Sequence, residues 1–224
     1  MKEIGYTSVQ LSGICAMDPY VLKEISEQTG LPVACTHSSF DRIVNDTDKL
    51  IEEHKIYGCP VIGISSMPNE YRSSVASARE FLKVIDEPMK KINAAGLKFA
   101  YHNHAFELEE LEDGRIIEML VNEAPELNFI LDTYWLKYGG YDPMEFISRV
   151  GGERMSCIHF KDMKSEPKGA ICPCGEGVID FAPIASLCRS IGIKHVLVEQ
   201  DNAPDSGDSY GQMAISYNNL KHLF

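Results

Sequence analysis

The sequence predicts an α/β chain of the (β/α)8-barrel class, with seven strands in view and the first strand–helix unit not in view. Three observations predict it. Short β-rich runs alternate with capped amphipathic stretches along all 224 residues. The runs are largely apolar rather than alternating, as strands buried on both faces must be. No G-x-G-x-x-G follows the first run and there is no P-loop, which favours a barrel over a doubly wound nucleotide-binding sheet. The G-x-G of GEGVIDF (175–181) lies in a loop ahead of a helix, a weak setting for a dinucleotide.

Taken in order, the expected strands are SVQLSG (8–13), PVACTHSS (32–39), PVIGISS (60–66), KFAYHNH (98–104), NFILDTYW (128–135), MSCIHFKD (155–162) and HVLVEQD (195–201). The segments between them carry helix signals. In DPYVLKEISEQTG, Asp18 caps, Pro19 fits the first turn and Gly30 ends the helix. YDPMEFISRVGG repeats the design with Asp142, Pro143, a capping-box-like Glu145 and Gly151. DFAPIASLCRSIG does so with Asp180 and Gly192.

A hydrophobic content of 44% over this length suits one large core, so residues 1–224 are expected to form a single domain. No apolar run approaches the roughly 18 residues of a membrane span. The N-terminus, MKEIGYTSVQ, lacks the apolar stretch and cleavage site of a signal peptide, so a cytoplasmic protein is expected. The seven cysteines are odd in number and irregularly spaced, and read as reduced thiols. Cys172 and Cys174 form a C-x-C, but no second pair completes a zinc site, so loop thiols are expected. The net charge of −12 repels a phosphate backbone, which excludes nucleic acid as the expected partner and favours a small neutral or metal-chelated substrate.

Barrel chemistry sits where strands end, and here the ends are ionisable. His37 lies at the end of the second run, and His102 and His104 close the fourth. Asp132 lies in the fifth, followed by Trp135, the only tryptophan. His159, Lys161 and Asp162 end the sixth, and Glu199 and Asp201 the last. Each alone has a structural explanation: a lone His can be a bonded core residue, and Asp132 can cap the next helix. Together they are costly to bury unless paired or bound to a cation. His, Asp, His and Glu from four successive strand ends make a mixed N/O site suited to Mn²⁺, Zn²⁺, Co²⁺ or Mg²⁺.

The ordered set IGYTSVQLSGI, THSSFDRI, YHNHAFELE, LDTYW, IHFKDM, GEGVIDF and VLVEQDNA resembles the xylose isomerase-like TIM-barrel superfamily over nearly the whole chain. That superfamily includes sugar phosphate isomerases and epimerases, inosose dehydratase and endonuclease IV. The resemblance implies one divalent metal held by Glu, Asp, His and Glu at four strand ends. Asp132, His159 and Glu199 match singly, and the first ligand falls on His102. A His there breaks the symmetric two-Glu proton relay of the epimerases and is similar to the inosose dehydratase branch.

The expectation is therefore a metal-dependent sugar or polyol isomerase or epimerase that removes a proton next to a polarised carbonyl. Glu199 is the expected base, and His104 or Lys161 the proton donor. His37, Glu107 and Trp135 are expected to line the substrate pocket. The alternatives are a dehydratase of a keto-sugar or inosose, and a non-catalytic carbohydrate-binding barrel; the acidic charge argues against an abasic-site endonuclease. Members of the superfamily usually place a strand and helix before the EIGYTSVQLSG segment. Without them the first and last strands expose edges, and association with a second copy is expected.

Overall fold

The computed structural model describes residues 1–224. Seven parallel strands form one sheet that curls into a nearly closed barrel: β1 (Val9–Ser12), β2 (Val33–Ser38), β3 (Val61–Ile64), β4 (Lys98–His102), β5 (Asn128–Asp132), β6 (Met155–Phe160) and, beyond a short antiparallel hairpin of β7 (Asp162–Met163) and β8 (Ile171–Cys172), β9 (His195–Val198). Each barrel strand pairs with its neighbour in chain order, and β6 pairs with β9. β1 pairs only with β2, so the ladder stops at two free edges.

Helices α1 (Pro19–Thr29), α2 (Phe40–Asn45), α3 (Thr47–Ile56), α4 (Val75–Ala94), α5 (Ile116–Glu123), α6 (Thr133–Tyr138), α7 (Pro143–Val150), α8 (Phe181–Ser190) and α9 (Ser209–Leu220) complete the crossovers. The expected caps are present. Asp18 accepts from the Tyr20 amide, Asp142 from Met144 and Glu145, and Asp180 from Ala182. Each satisfies an amide that the helix leaves unbonded. Gly30 closes α1 in the left-handed region at φ 61°.

All seven expected strands run past the observed ends, and at two of them the overrun matters for the site. Residues 133–135 belong to α6, because Asp132 caps that helix. The last strand stops at Val198, so Glu199 and Asp201 stand beyond it. Lys161 separates β6 from the unforeseen hairpin. Asp162, another ionisable strand-end residue, is a structural anchor: its carboxylate accepts from the amides of Met163, Gly175, Gly177 and Ile179. Cys172 and Cys174 are buried at 2% and 0% exposure rather than lying in an open loop.

A 37-residue cluster fills the space between strands and helices. A second cluster of small and medium side chains contains Ala100, Ile130, Cys157 and Leu197. These lie two residues before His102, Asp132, His159 and Glu199, and strand alternation therefore sends all eight side chains into the lumen. Ala100, Ile130, Cys157 and Leu197 form the apolar floor under the four ionisable groups. Gly63 makes room for that floor, since a Cβ there would lie 2.8 Å from Ile130 Cδ1 and 2.5 Å from the Thr36 carbonyl. No helix is long and apolar enough to cross a membrane.

Candidate metal centre

Four strands deliver four donors to one point. One ligand atom each of His102, Asp132, His159 and Glu199 lies within 4.8 Å of the others. His102 Nε2 is 3.5 Å from Asp132 Oδ2 and 3.9 Å from Glu199 Oε2. His159 Nδ1 is 3.1 Å from Glu199 Oε2 and 3.9 Å from Asp132 Oδ2. Donors each about 2.0–2.2 Å from one ion lie about 3–4 Å apart, so this spacing fits a single small cation.

The surroundings aim the donors. His102 Nδ1 donates to the Ser65 carbonyl at 3.1 Å, which leaves the Nε2 lone pair facing the cluster. His159 Nε2 donates to Gln10 Oε1 at 2.7 Å, which frees Nδ1 in the same sense. Asp132 Oδ1 accepts from the Tyr134 and Trp135 amides, while Oδ2 is buried without a partner. His102 Nε2 is likewise buried and unbonded. Two orphaned lone-pair atoms side by side in a dry site are unfavourable unless a cation bridges them, and the N/O donor set is one that divalent ions accept.

The electrostatics agree. Burial opposes ionisation of Glu199, but His159, His102 and Lys161 outweigh it and hold the carboxyl well below the usual carboxylate range. Burial pulls the His102 imidazolium down, yet Asp132 and Glu199 raise it overall. His37 and His104 behave oppositely. Burial, with neighbouring His102, pulls them down to about 2 and about 3, so both are neutral near pH 7.

The other expected site residues divide. His37 reaches the cluster, with its ring 5.0 Å from His102 and 5.5 Å from His159. His104 packs edge-on against His102 at 4.8 Å and lies 5.1 Å from Trp135. Lys161 is 1% exposed and sits between the Tyr134 and Trp135 rings; Nζ is 2.6 Å from Asp201, 3.6 Å from Glu199 and 4.0 Å from Asp132. These acids raise its ammonium although burial opposes it. Glu107 does not line the mouth as expected. It is fully buried, and its two oxygens accept from Tyr101 Oη and the His104 amide, so it braces the turn that carries His104.

Sequence reasoning missed the supporting residues. Gln10 holds His159 and also accepts from the Cys35 thiol at 2.8 Å. A glutamine inside an apolar first strand was the available signal. Asn103, fully buried, accepts from the Asp132 amide through Oδ1. Ser65 acts through its carbonyl, which no residue type reveals.

The fold has counterparts among known proteins. The chain is 24% identical over 263 residues to the inosose dehydratase of Geobacillus kaustophilus (strain HTA426), covering 97% of this chain and 83% of that protein. A sugar phosphate isomerase/epimerase from Parabacteroides distasonis ATCC 8503 superposes with a TM-score of 0.82 at 20% identity, covering 98% of this chain and 88% of that one. The IOLI protein, solved with a bound zinc atom, superposes at 0.77 with 14% identity, covering 99% and 89%. At such identities the two solved structures speak for the fold alone. The family model described as the xylose isomerase-like TIM barrel matches residues 1–215, and the chain belongs to that family.

Proposed function

We propose that this chain is a divalent-metal-dependent enzyme that removes a proton next to the carbonyl of a polyol or sugar ketone and then expels a hydroxyl as water, as a dehydratase. The carrying observation is the unequal pair of carboxylates in the donor set. Asp132 is fully buried and committed to capping α6, whereas the Glu199 side chain is 25% exposed and alone can reach substrate. Two equivalent carboxylates on opposite faces, as epimerisation by proton relay needs, are not available. The relationship to an inosose dehydratase supports the same choice.

His102, Asp132, His159 and Glu199 would hold the ion, which supplies Lewis acidity to the carbonyl and hydroxyl oxygens of the ketone. Glu199, kept ionised by its cationic neighbours, accepts the C–H proton. Lys161, kept protonated and 3.6 Å from Glu199, donates a proton to the departing hydroxyl. Neutral His104 and His37 orient hydroxyls by hydrogen bonding, and Trp135 offers a flat face to the ring. The Tyr134 and Trp135 rings beside Lys161 limit water at the donor.

The test is proton NMR of Mn²⁺-treated then metal-exchanged samples of an inosose and a ketohexose incubated with the protein in D₂O. Deuterium at the carbon next to the carbonyl, followed by an unsaturated product, is expected, with both lost in Glu199→Gln. Exchange with only a rearranged ketose as product would establish the isomerase instead. Sugar binding without any exchange would establish a binding barrel.

A further inference from the structure

The barrel wall is open on one side, and the opening runs into the donor cluster. β1 pairs only with β2 and β9 only with β6, so two parallel edges face each other unpaired. Between them lies a slot of about 390 Å³, within the range of about 300–1,000 Å³ that small-molecule sites occupy. His159 and Glu199 form part of its wall. Glu199 is the most exposed of the four donors, its side chain at 25% against 4% for His102, 0% for Asp132 and 1% for His159. The most accessible donor is thus one that faces the slot.

The lining is amphipathic and almost free of charge. Val9, Val196, Val198 and Met213 supply apolar surface, and Ser8, Ser12 and Gln200 supply uncharged polar groups. The strand edges add main-chain donors and acceptors. The Glu199 amide donates across the ladder to the Phe160 carbonyl, so the Val198 amide and carbonyl point the other way, toward the gap. Gln200 is held through Nε2 by Asn202 at 3.1 Å and Gln212 at 2.9 Å, while its Oε1 is buried without a partner. No Lys or Arg lines the slot, and Glu199 is its one charged side chain.

Such a lining matches a sugar ring, whose C–H faces pack on apolar walls and whose hydroxyls bond to the exposed main chain. A phosphate or carboxylate would find no cation there. An inserted polypeptide strand would also satisfy the edges, but its alternating side chains would be driven against His159 and Glu199, the donors that must stay open to substrate.

We propose that the slot between β1 and β9 is a second sugar subsite, so that the preferred ligand of the metal centre is a keto-sugar carrying a further uncharged sugar unit rather than a lone monosaccharide. The proposal rests on the metal-dependent ketone reading above and names its substrate class. It requires both strand edges to be open to solvent in the free protein.

The experiment is calorimetric titration of the Mn²⁺-loaded protein with fructose, isomaltulose and lactulose. The two disaccharides carry a glucosyl or a galactosyl unit on a fructose that keeps its ketone and the neighbouring hydroxyl. At least one is expected to bind about tenfold or more tightly than fructose. Ser8→Trp inside the slot and Ser209→Trp at its exposed rim should bring that ratio toward one while Mn²⁺ still binds. Equal or weaker binding of both disaccharides by the unaltered protein overturns the proposal and leaves the ketone reading standing. A preference that survives in both variants also overturns it, since the second sugar then lies elsewhere. Disaccharide affinity that falls as protein concentration rises would mean that a second copy fills the slot, and overturns it too. A disaccharide preference lost in the variants, with no deuterium exchange in any of the three ketoses, keeps the subsite and overturns the ketone reading. If Mn²⁺ binds and none of the sugars does, both fall together. Circular dichroism melting shows whether each variant is folded, and Ser209→Trp, on the surface, decides if Ser8→Trp is not.

Discussion

Asp132 Oδ2 and His102 Nε2 lie 3.5 Å apart, both buried and neither bonded to anything else in the protein. With His102 Nδ1–H committed to Ser65, its Nε2 presents a lone pair toward a carboxylate lone pair. Like faces like unless a proton or a metal ion enters. The same pressure appears as the raised affinity of His102 for a proton, and a divalent ion held by all four residues would relieve it more fully.

Asp132→Asn tests this division of labour. The amide retains an oxygen to cap α6 but no charge for the ion. Metal affinity by calorimetry is expected to fall by about tenfold or more, while the melting temperature without metal rises or holds, since the new side-chain N–H can donate to the otherwise unbonded His102 Nε2. Metal at 100 times its Kd stabilises by about 2.7 kcal/mol in the unaltered chain, and that gain should shrink in the variant. Stoichiometric metal retained at unchanged affinity would remove Asp132 from the donor set.

The barrel and its donors were legible because both rest on short-range patterns. Apolar runs flanked by caps mark the strands, and an ionisable residue closing such a run stands out, as His102, His159 and Glu199 do. Asp132 was legible both as a member of the cluster and as a cap, but the end of its strand was not, because Thr133, Tyr134 and Trp135 favour strands and only the cap overrides them. Gln10, Asn103 and Ser65 were hidden because their roles are set by strand register across the barrel rather than by neighbours in sequence. Glu107 was misplaced for the same reason: nothing local says that Tyr101 folds back to meet it at 2.6 Å.

Glu107 should leave a pH signature. Burial raises its carboxyl from 4.5 to about 7, against the hydrogen bonds from Tyr101 and His104. A carboxyl whose folded value lies above its unfolded value binds its proton more tightly when folded. Its contribution to stability is therefore full below about pH 4.5 and is lost as pH rises through about 7. Urea melts of the metal-free chain at pH 5 and pH 8 are expected to show lower stability at pH 8, and Glu107→Gln should reduce that difference. An unchanged difference in the variant would assign the pH dependence to other groups.

Trp135 is the sole tryptophan, with Lys161 Nζ 4.9 Å from its ring and His104 at 5.1 Å. Its Nε1 is buried without a partner. Emission should respond when Zn²⁺ fills the centre and again when a sugar binds, and paramagnetic Mn²⁺ should quench it beyond the Zn²⁺ effect. Trp135→Phe is expected to weaken sugar binding several-fold with metal affinity unchanged, as loss of a stacking face implies. Sugar binding seen by calorimetry with silent fluorescence would place the ligand away from this ring.

The free edges of the sheet give the last prediction. β1 and β9 flank a cavity of about 390 Å³ lined by Val9, Gln10 and Ser12 on one side and Val196, Leu197 and Val198 on the other, with His159 and Glu199 within it. Unpaired backbone groups along a strand edge cost about 1 to 3 kcal/mol each when shut away from water, so the edges must be solvated or covered. Helix α1, which connects β1 to β2, buries no residue and exposes Tyr20, Val21 and Ile25 at 67%, 45% and 44%. An exposed apolar helix face at the β1 end of the sheet is a surface that self-association covers. Light scattering is expected to give a mass above the 25.0 kDa of one chain, rising with concentration. Ile25→Lys should return the mass toward the monomer if the helix face carries the contact, and leave it unchanged if the strand edges do. A single 25.0 kDa species throughout would mean that water in the cleft satisfies both edges and that the barrel stands open as it is.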